Sequence, residues 1–371
     1  MNVLFAGGGT GGHLYPGIAI ARALVRADSR IEPFFIGALR GIEREVLPNT
    51  EFPFALLDLH PLYRRQIWLN WKTVAGGVGA WHRLGALVRA HRPALVVGTG
   101  GYAAGVTLAF AAAHRIPIVQ QAGDSVPGLT ARAFSRHSRE VYLSFPEAAG
   151  VLRAGHEGAL IDTGAPIEPP PVPRPDRSAE RQRWGFPAND GSVLLIYGGS
   201  QGSLAINRVV AQWIDRGLPP GLHLIWGTGR ATYEQFRHLE REDVRIRGYL
   251  TPIAAAYAAS DLALVRAGAM TTAELFAWGV PAVLVPLPTA AADHQTTNAR
   301  ALERAGAAIV ITQQELTVET LDRTMRALLG APGRLAALAQ SASARARPNA
   351  AADIAARILR IIAAGRPGTA A

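Results

Sequence analysis

Short apolar runs that end in glycines recur along this chain, and this pattern limits the folds that the chain can adopt. Residues 2–6 form such a run before Gly7, and residues 94–97 and 193–197 precede further glycine pairs. Longer amphipathic segments separate the runs, which is typical of parallel β-α-β units. We therefore predict an α/β fold whose glycines mark the carboxyl ends of parallel strands, where open sheets bind their ligands.

A proline-rich segment at residues 169–175 divides the chain into two halves. It contains five prolines, which neither a helix interior nor a central strand accommodates. The alternation of strands and helices restarts after it, and 371 residues suit two domains of roughly 150–200 residues each. We predict an N-terminal domain over 1–163 and a C-terminal domain over 164–346.

Composition excludes several classes of site and suggests an anionic partner. The chain has no cysteine, which rules out disulfides, a cysteine nucleophile and cysteine-bound zinc. Its net charge of +10 is carried by arginine, with Lys72 as the one lysine. This charge indicates either a codon preference for arginine or attraction to phosphates, nucleic acid or an acidic membrane.

The chain has no signal that would insert it into a membrane. No apolar run approaches the roughly 18 residues that a transmembrane helix needs. The first residues lack the basic start and long apolar stretch of a signal peptide, so we expect a cytoplasmic protein.

The first glycine loop, residues 7–13, joins a strand to a helix. Glycines allow close approach of a ligand to the backbone, and the following helix N-terminus favours an anion, so Thr10, Gly11 and Gly12 are candidate ligand contacts. A nicotinamide or flavin dinucleotide also requires an acidic residue after the second strand, but Gly37 and Ala38 stand there. A phosphate loop of the Walker type would need a lysine that is missing.

The second half repeats this arrangement at residues 197–202 and 265–274. In the latter segment a strand ends, a loop of small residues follows, and a helix begins near Ala269, which makes it a candidate pyrophosphate site. Glu274, one turn further on, could accept hydrogen bonds from a ribose. The alternative is a first-turn glutamate that complements the helix dipole.

Group transfer to a hydroxyl requires a base and stabilisation of the leaving group. His13 closes the first glycine loop and is the side chain best suited to proton transfer near neutral pH, although it could instead cap the helix or bind phosphate. Asp124 is a second candidate base, or the residue that orients His13. Backbone N–H groups near Ser200 and Ala269 could stabilise a departing diphosphate.

Arg266 could assist the leaving group or could be an ordinary surface arginine. The chain lacks an Asp-x-Asp pair and the histidine spacing of a metal site, so we predict no metal and no cofactor.

Aromatic and basic residues are concentrated at residues 62–83. Tryptophan favours the membrane interface, and cations attract anionic headgroups, which predicts a membrane-contacting patch. The alternative is a buried amphipathic helix; binding of nucleic acid is not expected. The patch comprises Ile67, Trp68, Trp71, Lys72 and Trp81.

Five motifs together resemble the MurG family of glycosyltransferases, in that family's order and over nearly the whole chain. They are Gly8-Gly9-Thr10-Gly11-Gly12-His13, Gly100-Gly101-Tyr102, Gly198-Gly199-Ser200-Gln201-Gly202, Arg266-Ala267-Gly268-Ala269-Met270-Thr271 and Asp293-His294-Gln295-Thr296-Thr297-Asn298-Ala299.

The resemblance implies a GT-B fold, in which two Rossmann-like domains face each other across a cleft. It implies inverting transfer of N-acetylglucosamine from UDP-GlcNAc to the C4 hydroxyl of the muramyl sugar of lipid I, giving lipid II at the inner face of the cytoplasmic membrane. The acceptor would bind the N-terminal domain and the donor the C-terminal one. The last helix, within 347–366, would pack back on the N-terminal domain.

The resemblance also implies roles for individual residues. His13 would lie at the reaction centre, with Gly100, Gly101, Tyr102 and Asp124 on the acceptor side. The donor would be held at the diphosphate by Ser200 and Gln201, near the uracil by Leu250, at the ribose by Glu274, and at the sugar hydroxyls by His294 and Gln295.

Two segments depart from the family pattern. Gln121-Ala122-Gly123-Asp124 stands where the family carries His-Glu-Gln-Asn, and Ala165-Pro166-Ile167-Glu168 stands where it favours Asn-Pro-Val-Arg. These departures leave two alternatives open: a related transferase with a different lipid acceptor, and a non-catalytic protein that binds sugar nucleotides.

Overall fold

The computed structural model describes residues 1–61, 68, 70–156, 158–199 and 201–365, with the backbone alone for Lys72, Val74 and Pro332. The chain forms two compact units. The first comprises Met1–Glu168 and Asn349–Ala371, and the second comprises Pro169–Pro348.

The first unit is built on a sheet of parallel strands. Its strands are β1 (Asn2–Gly7), β2 (Glu32–Ala38), β3 (Phe54–Leu57), β4 (Leu95–Gly100), β5 (Ile118–Ala122), β6 (Glu140–Leu143) and β7 (Leu160–Asp162). Its helices are α1 (Gly11–Ala27), α2 (Glu43–Val46), α3 (Asn70–His91), α4 (Tyr102–Ala113), α5 (Leu129–Phe134) and, from the end of the chain, α14 (Ala350–Ala364).

The second unit repeats this plan. Its strands are β8 (Ser192–Tyr197), β9 (Leu222–Gly227), β10 (Val244–Arg247), β11 (Leu262–Val265), β12 (Ala282–Leu284) and β13 (Ala308–Val310). Its helices are α6 (Arg177–Arg183), α7 (Leu204–Arg216), α8 (Tyr233–Phe236), α9 (Ile253–Ala259), α10 (Ala269–Trp278), α11 (His294–Arg304), α12 (Val318–Leu329) and α13 (Pro332–Arg345).

The first six strands of each unit follow the same order, and this order positions the glycine loops. Among the described residues the first sheet runs β3-β2-β1-β4-β5-β6-β7 and the second β10-β9-β8-β11-β12-β13. In each, the order reverses between two adjacent strands, β1 beside β4 and β8 beside β11, and ligands of such sheets bind at this switch point. The predicted α/β fold of two Rossmann-like sheets is confirmed.

The last helix of the chain completes the core of the first unit. Ile354, Ile358 and Ile362 of α14 are buried in one cluster with Ile20 and Leu24 of α1. Each such side chain contributes about 1.5–3 kcal/mol when fully buried. The helix is fixed further by an ion pair of 3.0 Å from Arg357 to Glu140 at the start of β6.

Candidate active site

The first glycine loop lies at the switch point of the first sheet. Gly8 follows β1 directly, and its N–H donates to the carbonyl of Gly100 at the end of β4 at 3.3 Å. Gly9 has φ of 88°, a left-handed conformation that favours glycine. Thr10 is the N-cap residue of α1, so Gly11 and Gly12 form the first turn of the helix.

His13 is held against the glycines that follow β4. Its Nδ1 lies 3.0 Å from Oγ1 of Thr10. Gly100 and Gly101 have φ of 96° and 77°, and a methyl group on Gly100 would lie 2.7 Å from Cδ2 of His13. The glycines therefore provide the space in which the half-buried imidazole sits.

Other residues predicted for the acceptor side join this cluster. A methyl group on Gly9 would lie 2.7 Å from the ring of Tyr102, and Oγ1 of Thr130 donates to the carbonyl of Gly101 at 3.1 Å. The half-buried Asp124 follows Gly123, whose Cβ position is 3.9 Å from the carbonyl oxygen of Gly12. The Asp124 segment thus lies beside the start of α1.

Glu43 is a buried residue of this region that sequence reasoning missed. It is fully buried, and its Oε1 accepts from the N–H of Ala38 at 3.0 Å, while Oε2 has no hydrogen-bond partner among the described residues. A methyl group on Gly8 would lie 1.9 Å from Oε1, so the carboxyl group packs directly against the backbone of the glycine loop. The sequence feature that could have indicated a buried side chain here is the set of glycines at 8, 37 and 41, which all pack against Glu43.

The corresponding loop of the second unit follows β8. Gly199 and Gly202 have φ of 89° and 77°. A methyl group on Gly202 would lie 2.2 Å from the carbonyl oxygen of Thr228, so the loop packs closely on the one that follows β9. Ser203 caps α7 by accepting from the N–H of Ile206. Gln201 is exposed, and Ser200 lies outside the described residues.

Asn207 lies on α7, the helix that follows the first of these loops, and binds the loop after β9; it was not predicted from the sequence. It is fully buried, and its Nδ2 donates to the carbonyl of Thr228 at 2.7 Å and to Oγ1 of Thr232 at 3.2 Å. Its Oδ1 accepts from Nε1 of Trp226 at 3.0 Å. One amide side chain of α7 thus fixes the carboxyl end of β9 and the segment that follows it.

Arg266, at the end of β11, is a buried structural residue in this arrangement. Its Nη2 donates to Oγ of Ser203 and to Oε1 of Gln313, both at 2.7 Å. Its Nη1 donates to the carbonyls of Val285 and Pro286 at 3.1 and 3.0 Å. Burial lowers the pKa of the guanidinium. These bonds favour a role in fixing the loops, whereas its predicted contact with the diphosphate stays a prediction.

The start of α10 has the features of an anion site. Its N-cap is Gly268, which has no side chain to cap the first N–H groups, and its first turn, Ala269 onward, holds no acidic residue, so the positive end of the helix dipole is available to an anion. Glu274 lies in the next turn, and its Oε2 accepts from the hydroxyl of Tyr257 at 2.7 Å. Burial raises the pKa of Glu274.

Comparison with known proteins gives the family. Residues 3–143 match the glycosyltransferase family 28 N-terminal domain, and residues 193–358 match the glycosyltransferase family 28 C-terminal domain. A Moorella thermoacetica protein named UDP-N-acetylglucosamine--N-acetylmuramyl-(pentapeptide) pyrophosphoryl-undecaprenol N-acetylglucosamine transferase is 37% identical over 98% of this chain and all of its own length. The Salinibacter ruber protein of the same name is 38% identical over 97% of this chain and 96% of its own. A crystal structure of Acinetobacter baumannii MurG is 26% identical, with a TM-score of 0.78 over 97% of this chain and 99% of that one. The chain belongs to the MurG family.

Three further residues that the MurG resemblance assigned to the donor lie at strand or helix ends of the second unit. Leu250 packs on Gly227 at the end of β9 and is 9% exposed. Gln295 Oε1 accepts from the N–H of Leu287 at 3.0 Å. Nδ1 of His294 lies 2.8 Å from the carbonyl oxygen of Ala291, so Nδ1 carries the proton. Their contacts with a nucleotide sugar stay predictions.

Glu168, which replaces the arginine usual in the MurG family, has a partner within its own unit. Its Oε1 lies 3.1 Å from Nη1 of Arg26 at the end of α1. Both side chains are more than half exposed, so screening by water limits the strength of this pair.

The aromatic patch predicted for membrane contact is exposed in part. Trp68 and Trp71 are 68% and 65% exposed. Trp81 is less exposed and packs against Phe110, with ring centroids 4.9 Å apart. Ile67 and the side chain of Lys72 lie outside the described residues. Within the part of the chain that the structure describes, no helix combines the length and apolar character needed to span a bilayer.

The structure was also searched for side chains that could hold a metal ion. Across the described ranges, no three Asp, Glu or His side chains come close enough together to hold an ion.

Proposed function

We propose that this chain transfers N-acetylglucosamine from UDP-GlcNAc to the C4 hydroxyl of N-acetylmuramic acid in lipid I, which yields lipid II for peptidoglycan synthesis. The observation that carries the proposal is the full-length similarity to transferases named for this donor and acceptor. Glycine loops at the switch points of both sheets support it, because nucleotides and phosphates bind there.

In the proposed reaction His13 is the general base. It takes the proton from the C4 hydroxyl of the acceptor while that oxygen bonds to C1 of N-acetylglucosamine. The bond from C1 to the β-phosphate oxygen breaks, and UDP leaves with the electron pair. A single displacement of this kind inverts the configuration at C1. Asp124 is proposed to orient His13 or to act as the base in its place.

The second unit is proposed to hold the donor. The N-terminus of α10 at Ala269 and the loop with Gln201 stabilise the charge that develops on the diphosphate. Glu274 binds the ribose hydroxyls, Leu250 contacts the uracil, and His294 and Gln295 bind the sugar. Ser200, Thr10, Gly11, Gly12 and Arg266 complete the proposed contacts. In this assignment residues 1–163 with 347–366 form the acceptor domain and 164–346 the donor domain.

The membrane-anchored acceptor requires the enzyme to work at a lipid surface. We propose that the chain binds the inner face of the cytoplasmic membrane peripherally through Trp68 and Trp71, whose exposed rings suit the interfacial layer. Co-sedimentation with vesicles of anionic phospholipid should fall for the variant Trp68→Ala/Trp71→Ala. It should stay unchanged for Tyr249→Ala, which removes a half-exposed aromatic residue from the second unit. Equal retention of both variants would contradict the assignment.

The transfer is tested with labelled UDP-GlcNAc and a short-chain analogue of lipid I, with EDTA present. Wild type should form product, and His13→Ala should be slower by about 10²–10⁴-fold, the usual contribution of a general base. His238→Ala removes an exposed histidine from the second unit and should behave as wild type. Loss of all product on chelation would contradict catalysis without a metal.

A different lipid acceptor is the second candidate function, favoured by Asp124 in place of the family's asparagine. Wild type that hydrolyses or binds UDP-GlcNAc but gives no product from the lipid I analogue would support it. Asp124→Asn should then restore transfer to that analogue.

A further inference from the structure

Glu274 is connected to two tyrosines that belong to other elements of the second unit. Tyr257 of α9 donates its hydroxyl hydrogen to Oε2 of Glu274 at 2.7 Å. The hydroxyl of Tyr197, the last residue of β8, lies 2.9 Å from that of Tyr257. Both tyrosines are buried, at 7% and 3% exposure. The three side chains thus form one line of hydrogen bonds from the sheet to the helix.

The direction of these hydrogen bonds is fixed when Glu274 is ionised. A carboxylate only accepts, so Tyr257 gives it its single proton and must accept from Tyr197. Burial, with Glu274 adding to it, raises the pKa of both phenols, which keeps them neutral donors. Tyr197 therefore orients Tyr257, and Tyr257 orients the carboxylate.

This arrangement removes freedom that a glutamate at a helix surface would otherwise keep. A free glutamate side chain samples many rotamers, and a ligand that uses it must immobilise it. Here Oε2 is held in advance by Tyr257, so Oε1 keeps a constant position one turn inside the helix that begins at Ala269. A pair of neighbouring hydroxyls could then bind without ordering the carboxylate.

We propose that Tyr257 is a positioning residue for donor binding, which fixes the Glu274 carboxylate for the ribose hydroxyls, and that Tyr197 supports it. The inference rests on the proposed function, in which Glu274 is the ribose ligand. Neither tyrosine touches the donor in this account. Both act through Glu274, so their effect should depend on whether the ligand carries ribose hydroxyls.

The experiment compares the affinity of the full chain for UDP and for 2′,3′-dideoxy-UDP by calorimetry. Tyr257→Phe should weaken UDP binding roughly tenfold, the worth of about one hydrogen bond, and should change dideoxy-UDP binding less than about twofold. Tyr197→Phe leaves the bond from Tyr257 to Glu274 in place and should weaken UDP binding by less than about threefold. In turnover, Tyr257→Phe should raise the KM for UDP-GlcNAc and have little effect on kcat.

Tyr142→Phe is the matched control, because it removes the hydroxyl of an equally buried tyrosine in the first unit. It should leave both affinities at the wild-type value. If Tyr257→Phe weakens both ligands equally, Tyr257 supports the fold only and the inference is overturned. Unchanged UDP affinity in Tyr257→Phe overturns it as well. If wild type fails to bind UDP, the proposed function and this inference are overturned together. If wild type transfers sugar and the KM of Tyr257→Phe for UDP-GlcNAc equals that of wild type, the inference alone is overturned.

Discussion

Replacement of Asn207 by alanine should destabilise the second unit and loosen the loops that we assign to the donor. The side chain lies fully buried at the carboxyl end of β9 and makes three hydrogen bonds there. Its loss affects the partners differently. The indole N–H of Trp226 loses its acceptor, whereas the carbonyl of Thr228 still accepts from Oγ1 of Thr232 at 2.7 Å.

The magnitude follows from these partners. An unsatisfied indole N–H in a fully buried site costs about 1–3 kcal/mol, and the lost bond to Thr228 costs about 1 kcal/mol more. We therefore expect Asn207→Ala to lower the free energy of unfolding by about 2–4 kcal/mol. For a unit of about 180 residues this lowers the melting temperature by about 5–15 °C.

The assay is denaturant and thermal unfolding of the full chain, with Arg208→Ala as the control, because Arg208 is the exposed neighbour of Asn207 on the same helix. Asn207→Asp distinguishes the contribution of the amide oxygen, which accepts from Trp226, from that of the amide nitrogen, which donates to Thr228. It keeps an acceptor for Trp226 but brings a carboxylate oxygen against the carbonyl of Thr228 at pH 7. Part of its stability should return toward pH 4, where the protonated acid can donate to that carbonyl. The expected shift is well above about 2 °C. If the melting temperatures of Asn207→Ala and Arg208→Ala differ by less than this, the structural role assigned to the Asn207 amide is refuted.

Three further predictions concern stability and its pH dependence. In urea unfolding, Arg266→Lys should destabilise the second unit nearly as much as Arg266→Ala. The reason is that an ammonium group cannot bind all four acceptors of the planar guanidinium. A lysine variant as stable as wild type would contradict this. Burial holds the pKa of Glu274 above its ordinary value of 4.5, so this group costs the folded state stability as pH rises past 4.5. The stability of Glu274→Gln relative to wild type should therefore increase from pH 4.5 to pH 7 in urea titrations, and a constant difference would contradict the assigned shift. Ile358→Ala should lower the unfolding free energy of the first unit by about 2–5 kcal/mol, since the side chain is fully buried, whereas the exposed Arg360→Ala should change it by less than about 0.5 kcal/mol.

The central strands could be predicted from the sequence, whereas three of the strands at the sheet edges could not. Runs such as residues 193–197 are buried on both faces and end in glycines, so β8 is conspicuous. The strands β3, β7 and β10 lie at sheet edges and were not predicted. Their residues are few and only partly buried, and in β10 arginines alternate with apolar residues. Strands this short and only partly buried contain too few apolar residues for their hydrophobic periodicity to predict a strand.

The backbone of the candidate site was predictable, while its supporting side chains were not. Glycines mark the loops at Gly8 and Gly199 because only they take the required conformations without strain. Asn207 and Tyr257, in contrast, act on partners 17 to 60 residues away in the chain. Arg266 shows the same limit: its position suggested a ligand, but its acceptors lie up to 63 residues away. Partners this distant in sequence can be identified only once the fold brings them together.

The return of α14 to the first unit sets the order in which the nascent chain can finish folding. Residues 1–168 leave the ribosome first, yet the α1 surface around Ile20 and Leu24 stays uncovered until Ile354 and Ile358 have been synthesised. The second unit, contiguous from Pro169 to Pro348, can close its own core earlier. A chain that stalls or is cut before residue 350 therefore carries a complete second unit and an exposed apolar face on the first, which is the form that chaperones and proteases recognise.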